Sequence, residues 1–255
     1  MAAPGSNPMR SLTRAIHVLE QLQRYDGPRR LKTIADDCGM SPATALRILR
    51  VLCETGLAAQ ADKSYSVGPG ALPAARSYLE TDPLPQTARP VLQRLSDDSG
   101  LTASLYTRIR FERVLVERVV GVAYMGYELP QGRRLPLTVG AAGKALLFEQ
   151  SDEELADVLE ASIGLGHEDA QVDLAILRDR LDVGGPGYSL SEDERAMGIA
   201  SVAVPLPAPA GRPVSESISL TGLAGSTSLE QLAEHVPALR MAARKIADSL
   251  PRHAG

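Results

Sequence analysis

The chain has 255 residues, 44% of them hydrophobic, a formal net charge of −4 and only two cysteines. That length has room for a small domain plus one of about 170 residues with its own core, while no apolar run approaches the roughly 20 residues that cross a bilayer. The start, MAAPGSNPMR, lacks the apolar stretch of a signal peptide, and Cys38 and Cys53 stand among helical positions at no disulfide or metal spacing. These features predict a cytoplasmic protein with core or half-buried thiols, and the scattered His17, His167, His235 and His253 predict no metal site.

In chain order, Leu12, Ala15, Ile16, Leu19 and Leu22 recur at helical spacing and predict a helix of about three turns with one apolar face. The stretch Leu31 to Leu57, LKTIADDCGMSPATALRILRVLCETGL, then reads as two short helices hinged at Gly39. The first, Leu31 to Cys38, is expected to bury Leu31, Ile34 and Ala35. Gly39 can adopt the left-handed conformation that ends a helix, Ser41 can cap the next one and Pro42 suits its first position. That second helix buries Ala45, Ile48, Leu49 and Leu52 on one stripe and leaves Ala43, Thr44, Arg47 and Arg50 on the other side. An ordinary helical hairpin shares this pattern, but small residues, a hydroxyl and two guanidinium groups on a free helix face suit a DNA major groove.

AAQADKSYSVG follows, two short extended segments around Ala61-Asp62-Lys63 with Tyr65 and Val67 alternating, and a hairpin there is a wing able to lay Lys63 against phosphates. Residues 1–70 hold nine basic and six acidic side chains, a net +3, so the remainder nets −7. A basic head on an acidic body suits a protein that binds a polyanion with one part only. Thr44, Arg47 and Arg50 are the candidates for base edges, near Ser41, Pro42 and Ala43 at the helix start. Arg14, Lys32, Thr33 and Lys63 are the candidates for phosphates.

Gly68-Pro69-Gly70 breaks the pattern, Ala71 to Thr81 is predicted helical, and Asp82-Pro83-Leu84-Pro85 is expected to break it again. Beyond, the spacing predicts a helix over Gln86–Asp98, strands over Thr102–Thr107 and Glu112–Val120, and a helix opening at Gly143. A capping-box helix should start at Ser151, another helix should cover Asp173–Leu181, and a strand should begin at Tyr188. Val202–Leu206 and Val214–Thr221 are β-rich, and Leu229–Leu250 reads as one long closing helix. Strands joined by hairpins and interleaved with helices indicate an α+β sensor-like domain. The expected division is a winged helix-turn-helix domain over 1–68, a linker helix over 69–82 and an effector-binding and oligomerisation domain over 83–255.

The motifs SLTRAIHVLEQL, CGMSPATALRILRVLCETGL, SYSVGP, GRRLPLTVGAAGKALL, GGPGYSLSEDERAMGIASVAVPL and PVSESISLTG, taken in this order, resemble those of IclR-type transcriptional regulators. The resemblance runs nearly end to end. It implies a winged-helix domain, a linker helix and a GAF-like effector-binding domain, assembled as dimers or tetramers on pseudo-palindromic operators. Carried over by position, it implies a small-molecule pocket walled by Tyr127 and Leu135, with Ala141 and Ala142 presenting amides at a helix start. Ser191, Ile199, Ser201, Ser219 and Thr221 would line the rest. Free amides and convergent hydroxyls suit a small carboxylate without a buried lysine or arginine. Thr138 and Ser201 depart from the His and Cys often found there, and an acid sometimes found at Ser191 is missing, so no known effector is carried over.

Enzyme signals fail on inspection. Gly140 to Lys144 evokes a phosphate-binding loop, but that motif needs Gly where Thr138 stands and Ser or Thr where Ala145 stands. Lys144 is better read as the partner of a nearby acid or carbonyl. His167, Glu168 and Asp169 are neighbours on a loop rather than a preorganised site, and Ser189 to Glu194 reads equally as a surface strand end or a ligand wall. The expectation is therefore a non-enzymatic, cofactor-free regulator of double-stranded DNA that responds to a small metabolite, with no membrane partner. The alternative is a DNA-binding protein whose body only mediates assembly.

Overall fold

The computed structural model describes residues 8–122, 129–165, 172–208 and 211–251. The chain divides into two compact units, Met1–Thr81 and Asp82–Gly255. No helix among the described residues is long and apolar enough to cross a membrane.

The first unit opens with α1 (Pro8–Arg24), a two-residue strand β1 (Arg29–Arg30), α2 (Leu31–Asp37) and α3 (Pro42–Glu54). Two strands follow, β2 (Ala58–Ala61) and β3 (Ser64–Val67), and then α4 (Leu72–Thr81). Gly39 has φ +59°, and the Ser41 hydroxyl accepts a hydrogen bond from the Thr44 amide (3.3 Å) with Pro42 in the first turn, so α3 starts as its sequence dictates. Val18, Leu22, Ile34, Leu49, Leu52, Ala58 and Tyr65 form one core, with Leu31 and Ile48 only partly buried against it. β2 and β3 pair antiparallel with Ala61 opposite Ser64, leaving Asp62 (φ +48°) and Lys63 (φ +64°) as a two-residue turn of the kind that matches strand twist.

α1 departs from the expected face. Val18 and Leu22 are buried, whereas Met9, Leu12 and Ile16 are 68%, 57% and 49% exposed. The apolar arc spans about half the helix circumference, and the unit's core covers only the edge carrying Val18 and Leu22. β1 was not expected at all; Arg29 pairs with Tyr65 and Arg30 with Ser64, extending the wing hairpin to a three-stranded sheet in the order β1-β3-β2.

The second unit begins with α5 (Pro83–Ser99), then β4 (Thr102–Ile109), β5 (Glu112–Val119), β6 (Arg134–Pro136) and α6 (Ala141–Lys144). α7 (Asp152–Gly164), α8 (Leu174–Asp182), β7 (Gly184–Gly185), β8 (Tyr188–Glu192), β9 (Ile199–Pro205), β10 (Glu216–Leu223), α9 (Leu229–Glu234) and α10 (Val236–Ser249) complete it. The residues expected to break the chain at Asp82–Pro85 instead open α5: the Asp82 carboxylate caps the Leu84 amide at 2.9 Å, and Pro83 needs no N–H partner in the first turn. The closing helix divides at His235 because Pro237 cannot donate to the preceding turn and its ring crowds that turn's carbonyl. The capping box at Ser151 and Glu154 forms as expected.

The strands make one antiparallel sheet in the order β6-β5-β4-β10-β9-β8-β7. Its alternation separates two chemistries. Leu105, Val202, Val204, Ile218 and Leu220 turn to α5 and α10, meeting Leu92, Leu239 and Ile246 in the main core. The register sets Ser191 beside Ser201, Ser201 beside Thr221, and Ser219 beside Ser104 and Ala203, so the opposite face is a band of small hydroxyls under α6.

Candidate nucleic-acid interface and ligand-binding face

On the first unit, the side of α3 away from the core is open. Ser41, Pro42, Ala43, Arg47 and Arg50 are exposed and Thr44 is half-buried. Among the described residues Arg47 and Arg50 form no ion pair, so both guanidinium groups keep their five donors for a partner. The Thr44 hydroxyl shares a hydrogen bond with that of Ser41 at 2.9 Å. Arg14 on α1, Lys32 and Thr33 on α2 and Lys63 in the wing turn are all exposed.

Sequence pattern alone does not single out Arg29 and Arg30 as contacts. β1 places both, exposed, alongside the Ser64–Tyr65 end of the wing and so beside Lys63. Two residues are too few to show strand alternation, and only the Arg-Arg pair itself marks the position. Arg29 stacks over the Tyr25 ring at 5.2 Å, and the Tyr25 hydroxyl donates to Asp37 at 2.6 Å, tying the end of α1 to α2. Burial and the Asp37 carboxylate hold that phenol far above its ordinary range.

On the second unit, Leu135 of β6 packs with Tyr106, Leu115, Leu129, Ala141 and Ala142. Tyr127 lies outside the described residues, as do His167, Glu168 and Asp169. Ser191, Ile199, Ser219 and Thr221 are buried and Ser201 is half-buried; the Ser191 and Ser201 hydroxyls are 2.7 Å apart. Structure thus brings these side chains to the α6 side of the sheet.

Of the amides at the start of α6, those of Gly140 and Ala141 are already engaged within the chain. Ala141 donates to the Ser191 hydroxyl at 3.0 Å and Gly140 donates to the Glu194 carboxylate at 2.8 Å. The chain folds its own acid into that position, using a turn with Asp193 at φ +56°. Lys144, fully buried, donates to the Leu190 carbonyl at 2.7 Å and forms an ion pair with Glu194. Burial lowers the Lys144 pKa while Glu194 opposes that shift.

Buried cations, absent from the expected site, stand beside these amides. Arg113 on β5 is 1% exposed, lies 5.4 Å over the Tyr106 ring and donates to the Pro136 carbonyl. Burial pushes its pKa down to about 10. A Cβ on Gly143 would stand 2.2 Å from the Arg113 guanidinium and 2.5 Å from the Leu137 carbonyl oxygen, so only glycine lets α6 close over this arginine. Strand β5 reads from sequence as an ordinary strand, and nothing local in it announces a buried guanidinium. Among the described residues no cluster of side chains fit to hold a metal ion occurs.

Residues 11–62 match the IclR helix-turn-helix domain, and residues 76–248 match the bacterial transcriptional regulator IclR C-terminal domain. The "HTH-type transcriptional repressor AllR" of Klebsiella pneumoniae is 28% identical over 94% of this chain and 89% of its own length. The "Acetate operon repressor" of Salmonella typhimurium is 28% identical over 79% of this chain and 76% of its own. Among solved structures, an IclR family transcriptional regulator from Brucella abortus superimposes with a TM-score of 0.78 at 24% identity, covering 95% of this chain and 93% of that one.

Proposed function

The chain belongs to the IclR family of bacterial transcriptional regulators, and from that premise we propose that it represses or activates promoters by binding a pseudo-palindromic operator as a dimer or tetramer, in response to a small carboxylate-bearing metabolite. The observation that carries the reading is the outward face of α3, where Ala43, Arg47 and Arg50 are exposed and the two arginines form no ion pair among the described residues. In a dimer two such helices enter successive major grooves about one helical turn apart. Lys63 with Arg29 and Arg30 supplies phosphate contacts at each wing, joined by Arg14, Lys32 and Thr33. The exposed row Met9, Leu12 and Ile16 on α1 supports pairing of two heads, since apolar side chains left bare on a 17-residue helix gain most by meeting their own kind.

Residues 1–68 act as the DNA-binding part, 69–82 as the linker and 83–255 as the effector-binding and oligomerisation part. For the effector, the hydroxyls of Ser201, Ser219 and Thr221 support orientation of polar oxygens, while Arg113 of β5, packed beneath α6, favours negative charge. Effector binding shifts the spacing of the two heads through α4, and only by its differential affinity for the two states. Replacing Arg47 by alanine tests the interface: affinity for the selected operator falls about tenfold or more, while affinity for random duplex falls far less. Equal losses on both would defeat the assignment.

A second reading, in which the body only assembles the heads, draws on the amides of Gly140 and Ala141 being satisfied within the chain. Thermal-shift screening of the full chain against small carboxylates separates the two. A stabilising hit that alters the distance between spin labels on the two heads supports the ligand-responsive form, and the absence of any hit favours assembly alone.

A further inference from the structure

A cavity of about 500 Å³ lies on the other side of the sheet from Ser191 and Ser201, between α10 and the segments 205–208 and 211–214. Val204 and Leu206 lie at its base but are almost wholly buried, so the surface it exposes is more polar than apolar. Three arginines converge on its walls, Arg240 and Arg244 one turn apart on α10 and Arg212 from the segment opposite. Glu149 is the one acid in the lining. This positive cluster is set in a unit that nets −7 with the three arginines counted, from seventeen basic and twenty-four acidic side chains over residues 82–255.

The arginines are not used up by the fold. Arg240 is fixed in place: its guanidinium donates to the Pro186 carbonyl and lies 5.9 Å over the Tyr188 ring, which leaves further N–H groups unengaged. Arg212 and Arg244 are exposed and have no acidic partner among the described residues. Three guanidinium groups around a mainly polar opening favour a negatively charged ligand, and 500 Å³ lies within the range of pockets that take small organic molecules. We propose that this cavity is a second ligand site, separate from the hydroxyl-lined face, and that it binds an organic anion such as an aromatic carboxylate through Arg212, Arg240 and Arg244.

The test uses the full chain and 2-naphthoate as the probe, followed by titration calorimetry, with 2-naphthamide as the neutral analogue. The expected result is saturable binding of naphthoate, with the amide at least tenfold weaker because the guanidinium groups then face no charge. The double variant R212A/R244A weakens naphthoate at least tenfold and keeps its melting temperature, both side chains being exposed and unpaired. The variant S201V, on the opposite face, leaves the affinity within twofold. No binding of naphthoate, equal binding of the amide, indifference to R212A/R244A, or loss of binding in S201V would each overturn the proposal. Operator binding is measured separately, so failure here does not touch the regulator reading, nor the reverse.

Discussion

Lys144 and Glu194 are fifty residues apart, and their meeting explains why a Gly-Lys pair that evokes phosphate chemistry does something else. The lysine is wholly buried and its charge is balanced by Glu194, which also takes the Gly140 amide. Breaking a buried pair strands the remaining charge and costs about 3–5 kcal/mol. Lys144→Met is therefore expected to lower the denaturation midpoint strongly, and Lys144→Met/Glu194→Gln to recover part of the loss in a double-mutant cycle. Additive losses would show that the two side chains do not act as a unit. A milder case is Cys38, whose thiol burial pushes to about 11. At pH 8 its thiolate fraction falls on the order of 100-fold below that of an ordinary cysteine, so alkylation of Cys38 by iodoacetamide in the folded protein should be slower by about that factor. Peptide mass mapping over time reads this directly, and a rate near that of the unfolded chain contradicts the burial seen.

Elements were legible where their signals are local and lost where a neighbour decides. α3 could be read in full: cap, first-turn proline, buried stripe and open face all lie within fourteen residues. Ser41→Ala removes the hydroxyl acceptor of the Thr44 amide and should cost about 1 kcal/mol, checked by urea denaturation, while Leu49→Ala in the core should cost about 2–5 kcal/mol. In α1 the apolar arc is legible, but which of its edges the core covers depends on α2 and α3, and it leaves Leu12 and Ile16 exposed. The Pro-rich start of α5 reads as a breaker unless Asp82 is recognised as its cap, and the break before Val236 turns on Pro237 alone. Of the candidate ligand face, the hydroxyl positions follow from strand alternation. The partners of the α6 amides do not, because Ser191 and Glu194 reach them from fifty or more residues away.

At the scale of the whole molecule, charge and exposed apolar surface work together. Residues 1–81 net +3 and residues 82–255 net −7, so long-range attraction to DNA is confined to the first unit and is weak for a single copy. On the reading proposed above, a single head would offer two arginines for base edges and a handful of cations for phosphates, which is little for specific recognition at physiological salt. Two heads held together would double both, with affinities that combine through their high effective concentration. The bare row Met9, Leu12 and Ile16 on α1 is the surface suited to hold them. Replacing Leu12 and Ile16 together by glutamate places like charges at that contact without disturbing Val18 or Leu22, which face the core. The expected outcome is a melting temperature close to that of the unaltered protein, at least a tenfold loss of affinity for a full operator, and unchanged affinity for an isolated half-site, read by gel shift at fixed ionic strength. The salt slope gives an independent check: Arg29→Ala should shrink it by about one on the full operator for each head that engages phosphate through β1. If the glutamate variant bound the full operator as tightly as before, α1 would not be what couples the heads, and their pairing would have to come from the second unit instead.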